Sequence, residues 1–419
     1  MNQGFLQGVR NMPATLDHRA LYRLPWSTPD NSIAWLEPTM KCNLACEGCY
    51  RENVNTHKSL EQVAADLDVF ARYRTADGIS IAGGDPLTHP EIERIVGMVA
   101  ERGWKPILNT NGLALTEEKL RRLKAAGLEG LTFHIDSKQG RPRWKRATEQ
   151  ELCELRLHYA RMAARVGDLS CAFNATVYPD TLDAVPDLVD WARRHIDLVH
   201  VMVFICYRAP VPQTEFDYYA GARKVDMRAL TYAYDETAPR RDISAPDVVA
   251  KIREREPDFS PCAYLNGTER PDSFKWLLTL QFGTADKIYG YAGPKMIEMA
   301  QVLHHLRTGR YLAYAAPRTL RRARSMLALW PFDPGVRRTA ARALRSPRLA
   351  VRRLHLQSVM IIQPVDVLAD GRMNMCDGCP DMTVWNEELA WSCRLEECLH
   401  FGQFVRTVPR DGRTTAVEA

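Results

Sequence analysis

The sequence lacks two kinds of segment that would take it out of the cytoplasm. No part of the 419 residues reaches roughly 18 uninterrupted apolar residues, the length needed to span a membrane. The N-terminal stretch MNQGFLQGVRNMPATLDHRA lacks the basic and then apolar order of a secretion signal. We therefore expect a cytoplasmic protein, in which the eleven cysteines are metal ligands or buried thiols rather than disulfides.

Acidic residues are nearly absent from residues 307–353. This segment has thirteen arginines and one acid, Asp333, so it carries +12, whereas the whole chain carries +5 and the remainder therefore −7. Its first part predicts an amphipathic basic helix with Leu320, Leu327 and Trp330 near one face, suited to peripheral contact with an anionic membrane. The alternative is a solvated helical insertion with a small apolar stripe. Too few aromatic stacking platforms accompany the charge for us to expect nucleic-acid binding.

Cysteine is instead concentrated in residues 41–51, KCNLACEGCYR. Three and then two residues separate Cys42, Cys46 and Cys49, a spacing that closes a loop and aims three thiolates at one centre. Such a site suits Zn²⁺ or an iron–sulfur cluster. Three thiolates would leave one iron of a four-iron cluster open to a small molecule. The alternatives are a zinc loop with a borrowed fourth ligand, or buried cysteines without metal.

Apolar periodicity predicts that strands and helices alternate through the first half of the chain. The alternation predicts a parallel sheet with crossover helices and functional groups at the carboxyl ends of its strands. Ser59 and Gln62 predict a capping box at the start of the first helix. The six predicted strands are residues 32–39, 78–82, 106–110, 131–135, 170–177 and 198–205, and the helices are residues 57–74, 90–102, 117–126, 149–166 and 182–195.

A Gly-Gly-Asp-Pro segment, residues 83–86, stands at the end of the second predicted strand. Glycines let the backbone approach a ligand closely and take positive φ, although most such tetrapeptides are simple turns. Polar residues also end other strands, among them Asn109, Ser137 and Asn174. We predict that His134 is a core histidine, because it alternates with apolar neighbours. The sixth strand ends in Cys206, Tyr207 and Arg208, which are candidates to face a substrate.

The C-x3-C-x2-C run followed by Tyr50 resembles the signature of the radical S-adenosylmethionine (SAM) enzymes. The segment at residues 83–86 resembles the GGEP-like motif of that family, with aspartate in place of glutamate. The resemblance implies a partial (β/α)6 TIM-like barrel and a [4Fe–4S] cluster on Cys42, Cys46 and Cys49 whose open iron binds SAM. It also implies SAM contacts for Tyr50, Gly83, Gly84, Asp85, Pro86, Ser137 and Asn174. For Ser137 and Asn174 the alternative is turn and cap chemistry.

A second group of cysteines lies near the C-terminus, in a C-x2-C, thirteen-residue, C-x4-C arrangement: Cys376, Cys379, Cys393 and Cys398. Four thiols form a complete tetrahedral set for zinc, one iron or an auxiliary [4Fe–4S] cluster. Gly371 with Cys376 resembles the G-x4-C element of SPASM and twitch auxiliary-cluster domains, but the earlier cysteine and the later spacing of their full pattern are absent. Cys262 is a candidate fifth ligand. The alternative is a structural zinc knuckle.

We divide the chain into an N-terminal arm (1–31), a barrel (32–208), a helical, arginine-rich insertion (209–357), a small cysteine-rich β-hairpin region (358–408) and a tail (409–419). The resemblance implies reductive cleavage of SAM to a 5′-deoxyadenosyl radical that abstracts hydrogen from a substrate, with a donor such as flavodoxin or ferredoxin. No catalytic acid or base is assigned.

The insertion favours a hydrophobic or anionic small molecule, such as a lipid or a phosphorylated metabolite. A peptide substrate is the alternative that the cysteine-rich region favours. No cobalamin-binding domain precedes the barrel, so cobalamin-dependent methyl transfer is not expected. A non-catalytic iron–sulfur or zinc scaffold protein is an alternative of a different class, and it would have no need to bind SAM.

Overall fold

The computed structural model describes residues 16–207, 216–230, 243–368 and 370–410. Residues 1–15 of the predicted arm, Arg208 and residues 411–419 of the predicted tail lie outside the described residues. The described strands are β1 (Tyr22–Arg23), β2 (Ile33–Leu36), β3 (Gly78–Ile81), β4 (Lys105–Thr110), β5 (Gly130–His134), β6 (Ser170–Val177), β7 (Val201–Cys206), β8 (Phe216–Ala220), β9 (Arg223–Lys224), β10 (Ala263–Leu265), β11 (Trp276–Thr284), β12 (Lys287–Tyr291), β13 (His355–Ile362), β14 (Asp366–Val367), β15 (Met373–Asn374), β16 (Met382–Trp385), β17 (Glu388–Trp391) and β18 (Arg406–Pro409).

The described α-helices are α1 (Leu60–Tyr73), α2 (Ile92–Glu101), α3 (Glu117–Ala125), α4 (Leu152–Val166), α5 (Val185–Arg194), α6 (Ala245–Arg255), α7 (Pro294–Thr308), α8 (Pro317–Leu320), α9 (Ala323–Met326), α10 (Pro334–Leu344) and α11 (Leu395–Phe401). Short 3-10 helices are found at His18–Ala20, Pro86–Thr88, Leu182–Ala184, Met227–Ala229, Leu327–Leu329, Pro347–Ala350 and Ser392–Arg394. The capping box predicted for Ser59 and Gln62 is confirmed at the start of α1. Within the described ranges, every helix is too short or too polar to cross a bilayer.

One sheet of eleven strands organises the molecule. Its hydrogen-bonded order is β1-β10-β11-β13-β7-β6-β5-β4-β3-β2, with β12 paired to β11. Strands β2 to β7 run parallel in their order along the chain, and β13 adds a seventh parallel strand beside β7. The predicted α/β fold with a partial barrel of parallel strands is therefore confirmed.

The two faces of the sheet differ in polarity because side chains alternate along each strand. On one face Ile79, Leu108, Phe133, Phe173 and Phe204 are completely buried in an apolar core that the crossover helices complete. The other face carries Asn109 on β4, Thr132 and His134 on β5, and Asn174 and Thr176 on β6, which the strand register places side by side. We call these five residues the polar face.

The insertion is not purely helical, which corrects the sequence-based expectation. Trp276–Thr284, which we expected to be helical, is strand β11, and its antiparallel partner β13 crosses the predicted boundary between the insertion and the cysteine-rich region. A short apolar run is compatible with either a buried strand or a buried helix, and only pairing with β13 and β10 decides between them. The described part of the arm contributes strand β1, which pairs with β10.

The amphipathic helix predicted before Pro331 is divided into α8, α9 and a 3-10 turn. Its predicted apolar face is divided too, because Leu320 is buried whereas Trp330 is 53% exposed. Arginines three and four residues apart repel one another along a continuous helix, which favours such breaks.

The cysteine-rich region lies between the two edges of the sheet. Asp377 forms a 2.7 Å ion pair with Arg23 of edge strand β1. The backbone of Cys376 forms an isolated antiparallel β-bridge with Gly267, just beyond β10. At the other edge, the hairpin of β16 and β17 packs against β2 and α1. The Asn31 amide, before β2, donates to the carbonyl of Gly378 at 2.9 Å. This region therefore joins the first and last strands of the sheet.

Candidate metal centre

The cysteine loop, residues 41–51, lies between β2 and α1 and is fastened to the carboxyl end of β3. The amides of Gly84 and Asp85 donate to the carbonyls of Thr39 and Lys41, each at 2.8 Å. At the start of the loop, Cys42 exchanges two hydrogen bonds with the side chain of Asn53, at 2.9 and 3.1 Å. The backbone that precedes the three cysteines is thus held on both sides.

Gly83 and Gly84 are required by close backbone packing. A Cβ atom on Gly84 would lie 2.3 Å from the carbonyl oxygen of Lys41, and one on Gly83, whose φ is +101°, would lie 2.3 Å from that of Thr39. Both glycines are partly exposed, and their carbonyls accept no hydrogen bond from the described residues. These two carbonyls can therefore accept hydrogen bonds from a ligand ammonium group, which fits the amino group of SAM.

Asp85 has its carboxylate inside the protein rather than at the ligand edge. It accepts hydrogen bonds from the Thr110 hydroxyl at 2.8 and 3.0 Å, from the Asn111 amide at 2.8 Å and from the Leu87 amide at 2.9 Å. Burial raises the pKa of Asp85, and these hydrogen bonds oppose that rise. The side chain therefore ties the end of β3 to the end of β4, while Pro86 begins the 3-10 turn that follows.

The far side of the loop contacts the ends of the next four strands. The Asn111 amide group, after β4, lies 3.7 Å from the Cys42 sulfur and donates to Asn43 at 2.6 Å. After β5, the Lys138 carbonyl accepts from the Glu47 amide at 3.0 Å. Tyr178 and Tyr207, after β6 and β7, pack against Gly48, where a Cβ atom would meet the Tyr178 hydroxyl at 2.7 Å. The loop consequently covers the carboxyl end of the sheet, as parallel topology predicts.

The three thiols of the loop are neighbours in a poorly solvated setting. Burial raises the pKa of Cys42, Cys46 and Cys49, and the charges of the other two thiols raise that of Cys46 further. Buried Arg141 opposes this effect on Cys46 and donates to the carbonyls of Asn111 and His134 at 2.6 and 2.8 Å. Arg141 belongs to no recognisable motif, so the sequence did not identify it as a residue of the site.

The loop has sulfur donors of the kind that an iron–sulfur cluster takes. Among the described residues, no three His, Cys, Asp or Glu side chains converge closely enough to hold one metal ion. In a [4Fe–4S] cluster each thiolate binds a different iron, so the thiolates stand farther apart than around one metal. Three thiols in one loop, beside two open carbonyls, offer the donors for a cluster with one open iron.

The polar face has unused hydrogen-bonding groups. Asn109 Nδ2 and Asn174 Oδ1 are buried and have no partner among the described residues, and such orphan atoms indicate a ligand or water. The backbone amide of Ser137 donates to the Glu149 carboxylate at 2.7 Å. His134 is not a core histidine: 35% of its side chain is exposed, and its Nε2 lies 2.8 Å from Asp136.

Tyr50 and Arg51, after the last cysteine, reach the C-terminal region. The Arg51 guanidinium lies 4.7 Å from the centre of the Tyr50 ring, and its side chain pairs with buried Glu37. Glu396 of α11 accepts a hydrogen bond from the Glu52 amide. Burial raises the pKa of Cys49, and the charge of Glu396 raises it further. Arg51 could have been recognised as a site residue from its position directly after the cysteine motif. No sequence pattern identified Glu37 or Glu396 as residues of the site.

Three of the four C-terminal thiols, Cys376, Cys379 and Cys393, interact electrostatically with one another. The Cys376 thiol hydrogen-bonds that of Cys379, and the charge of Cys393 also raises the pKa of Cys379. Cys398 is buried on α11, where burial and the charge of Glu397 raise its pKa while Arg394 and Arg51 oppose the rise. The candidate fifth ligand, Cys262, is buried and donates to the Leu278 carbonyl at 3.3 Å. The fourfold ligand set remains a prediction.

Curated relatives match part of the chain. The chain is 33% identical over 107 residues to the AdoMet-dependent heme synthase of Methanosarcina barkeri (strain Fusaro / DSM 804), covering 25% of this chain and 30% of the synthase. It is 27% identical over 164 residues to the GTP 3′,8-cyclase of Rhodococcus opacus (strain B4), covering 37% of this chain and 46% of the cyclase. The chain thus spans less than half the length of these two relatives.

Solved structures overlap the chain only in part. Streptococcus suis SuiB bound to precursor peptide SuiA overlaps 43% of this chain and 40% of its own, at a TM-score of 0.34 and 17% identity. BtrN in complex with AdoMet and 2-DOIA overlaps 34% of this chain and 56% of its own, at a TM-score of 0.27 and 20% identity. Overlap at these scores identifies neither a substrate nor a partner.

Residues 36–192 match the family model of the Radical SAM superfamily. The matched span runs from the end of β2 into α5, and it contains the cysteine loop, the Gly-Gly-Asp-Pro segment and the polar face. This family implies a [4Fe–4S] cluster and SAM, for which the loop and the adjacent carbonyls have the required groups. Residues 36–192 therefore match the radical SAM superfamily.

Proposed function

We propose that this protein is a radical SAM enzyme in which Cys42, Cys46 and Cys49 hold a [4Fe–4S] cluster with one iron open to SAM. When bound and reduced, the cluster supplies the electron that cleaves SAM to methionine and a 5′-deoxyadenosyl radical, which removes hydrogen from the substrate. The observation that carries the proposal is the position of the three thiols over the strand ends, beside the free carbonyls of Gly83 and Gly84.

The residues around the loop have separate roles in this proposal. The carbonyls of Gly83 and Gly84 accept hydrogen bonds from the SAM ammonium group, while Asn174 and Ser137 offer an amide and a hydroxyl to its polar groups. The Asn111 amide donates towards the Cys42 sulfur, and such hydrogen bonds tune the reduction potential of a cluster. Tyr178 and Tyr207 hold the loop at Gly48 and limit the access of water.

The sheet also supports a small-molecule or lipid-like substrate. Strand register continues from Asn174 to Val203 on β7, then to Met360 on β13 and Leu278 on β11. Polar groups on β4 to β6 thus give way on the same face to apolar side chains, of which Val203 is buried and Met360 and Leu278 are partly buried. A substrate with a polar group and an apolar body matches this change. A peptide is the alternative favoured by the resemblance of the cysteine-rich region, and a flavodoxin or ferredoxin is the expected electron donor.

The decisive experiment measures iron, sulfide and 5′-deoxyadenosine in anaerobically reconstituted protein supplied with SAM and a strong reductant. We expect deoxyadenosine from the wild type and none from Cys42→Ala, Cys46→Ala or Cys49→Ala. Cys153→Ala, which removes a half-buried thiol on α4, is the matched control and keeps activity. About eight irons per chain indicates one auxiliary cluster, and about four with one zinc indicates a structural zinc site. Cleavage retained in a loop variant would refute the assignment.

A further inference from the structure

The insertion contains a basic cleft that the proposed reaction does not use. It has a volume of about 370 Å³ and is lined by Lys287, Arg342, Arg345, Arg348 and Arg352, with Asp286 as its one acidic residue. The lining comes from β12, from the end of α10 and from the turns after it. We call this feature the basic cleft. Five cations around one carboxylate leave an excess of positive charge.

Part of this charge is not neutralised within the protein. Arg342 pairs with Asp258 at 2.9 Å, and Arg352 pairs with Asp286. Arg345 and Arg348 are exposed and form no ion pair with any residue in the described ranges. On the exposed side of α10, Arg337 and Arg338 are likewise without an ion pair among the described residues. An anionic ligand is therefore the chemistry that the basic cleft would recognise.

Exposed apolar residues are adjacent in sequence to the arginines of the basic cleft. Leu344 is 88% exposed and precedes Arg345, while Val351 is 89% exposed and precedes Arg352. At the other end of α10, Trp330 and Phe332 are 53% and 63% exposed. Apolar side chains that stand in water beside unpaired arginines are typical of surfaces that enter the boundary between lipid headgroups and acyl chains.

We propose that this surface docks on an anionic phospholipid membrane, with a lipid phosphate in the basic cleft and Leu344 and Val351 inserted among the lipids. A soluble phosphate would occupy the cleft but would gain nothing from two nearly fully exposed apolar residues. A single-stranded nucleic acid would need exposed aromatic platforms at the cleft, whereas the aromatic residue in its lining, Tyr289, is 2% exposed. Trp330 and Phe332 lie at the opposite end of α10. The positive charge of the basic cleft and the exposure of Leu344 and Val351 together therefore favour a lipid surface over the other two ligands.

The test is sedimentation of the full-length, cluster-loaded protein with phosphatidylcholine vesicles, with and without phosphatidylglycerol. We expect binding only to the anionic vesicles, and weaker binding at high salt. Arg345→Gln/Arg348→Gln should weaken that binding roughly thirtyfold, because each basic residue near an anionic surface contributes about a factor of five. Leu344→Ser/Val351→Ser should also weaken it, including at high salt, where the apolar contribution remains.

The matched control is Arg94→Gln/Arg161→Gln, which removes two exposed arginines from α2 and α4. Neither forms an ion pair with a described residue, so this variant should bind anionic vesicles like the wild type. Equal binding to both kinds of vesicle, no binding to either, or full binding by both cleft variants would overturn the proposal. Saturable binding of inorganic phosphate or an oligoribonucleotide without vesicle binding would also overturn it.

Discussion

Arg51 and Glu37 form a buried bidentate ion pair that closes the cysteine loop at its base. Arg51 Nε and Nη2 donate to the two carboxylate oxygens at 2.8 and 2.7 Å, and the side chains are 2% and 7% exposed. Trp35 adds a third hydrogen bond to Glu37 at 3.0 Å. Glu37 follows β2 and Arg51 follows Cys49, so the pair joins the backbone entering the loop to the backbone leaving it.

Arg51→Met should destabilise the protein and reduce cluster retention. It leaves the Glu37 carboxylate buried without its cation, and breaking a buried pair in this way typically costs about 3–5 kcal/mol. The measurements are urea unfolding and iron per chain after reconstitution. The double variant Glu37→Leu/Arg51→Met removes both charges and should recover much of the lost stability. A single variant as stable as the wild type would contradict this role of the pair.

Gly84→Ala should displace the cysteine loop. The new Cβ atom would lie 2.3 Å from the Lys41 carbonyl oxygen, so the backbone must move away from the strand end. We expect loss of reconstituted iron and of SAM binding, with a folded chain by circular dichroism. Gly97→Ala is the matched control: it lies in α2, where the nearest heavy atom to a Cβ is 3.9 Å away. It should keep full iron and gain about 0.5–1 kcal/mol of stability.

Cys376→Ala/Cys379→Ala should lower the metal content without preventing assembly of the loop cluster. These two thiols hydrogen-bond each other, and the charge of Cys393 also acts on Cys379. Iron and zinc analysis should show a loss of about four irons or one zinc per chain, with deoxyadenosine still formed. An unchanged metal content would exclude both as ligands. Iron and zinc analysis of Cys398→Ala tests the fourth thiol. An unchanged metal content in this variant would leave three candidate thiol ligands.

Buried His200 should make the protein less stable as the pH falls. Burial, with the charges of Arg321 and His355, lowers its pKa from 6.5 to about 4. Between these two values the unfolded chain takes up a proton that the folded chain does not, so stability falls as pH is lowered. From pH 7.5 to 5.5, the loss attributable to His200 is about 1.3 kcal/mol by this linkage.

The check is to compare urea unfolding of the wild type and His200→Asn at both pH values. The asparagine oxygen can replace Nδ1, which accepts a hydrogen bond from the Cys171 amide at 3.0 Å. The variant should lose less stability than the wild type over this pH range, by about that amount. An identical loss in both proteins would show that His200 does not control the pH dependence.

Much of the barrel could be predicted from the sequence because its signals are local. The strand Ser170–Val177 has the predicted limits, and the first helix begins at the predicted cap. Strands β10 to β13 could not be placed in the same way, since an apolar run such as Trp276–Thr284 forms a strand only beside its partners. His134 was misjudged because alternation shows which face a residue is on, not whether that face is packed.

The order of the barrel strands and helices, the loop with its three thiols and the resemblance to the radical SAM enzymes can all be read from the sequence. Each depends on residues close together in the chain, where spacing and backbone preference act directly. Folding in three dimensions is needed to bring Arg51 to Glu37, to bring Glu396 to the loop and to place the C-terminal cysteines between β1 and β2. These contacts join residues distant in sequence, and they depend on how the sheet and its added strands pack.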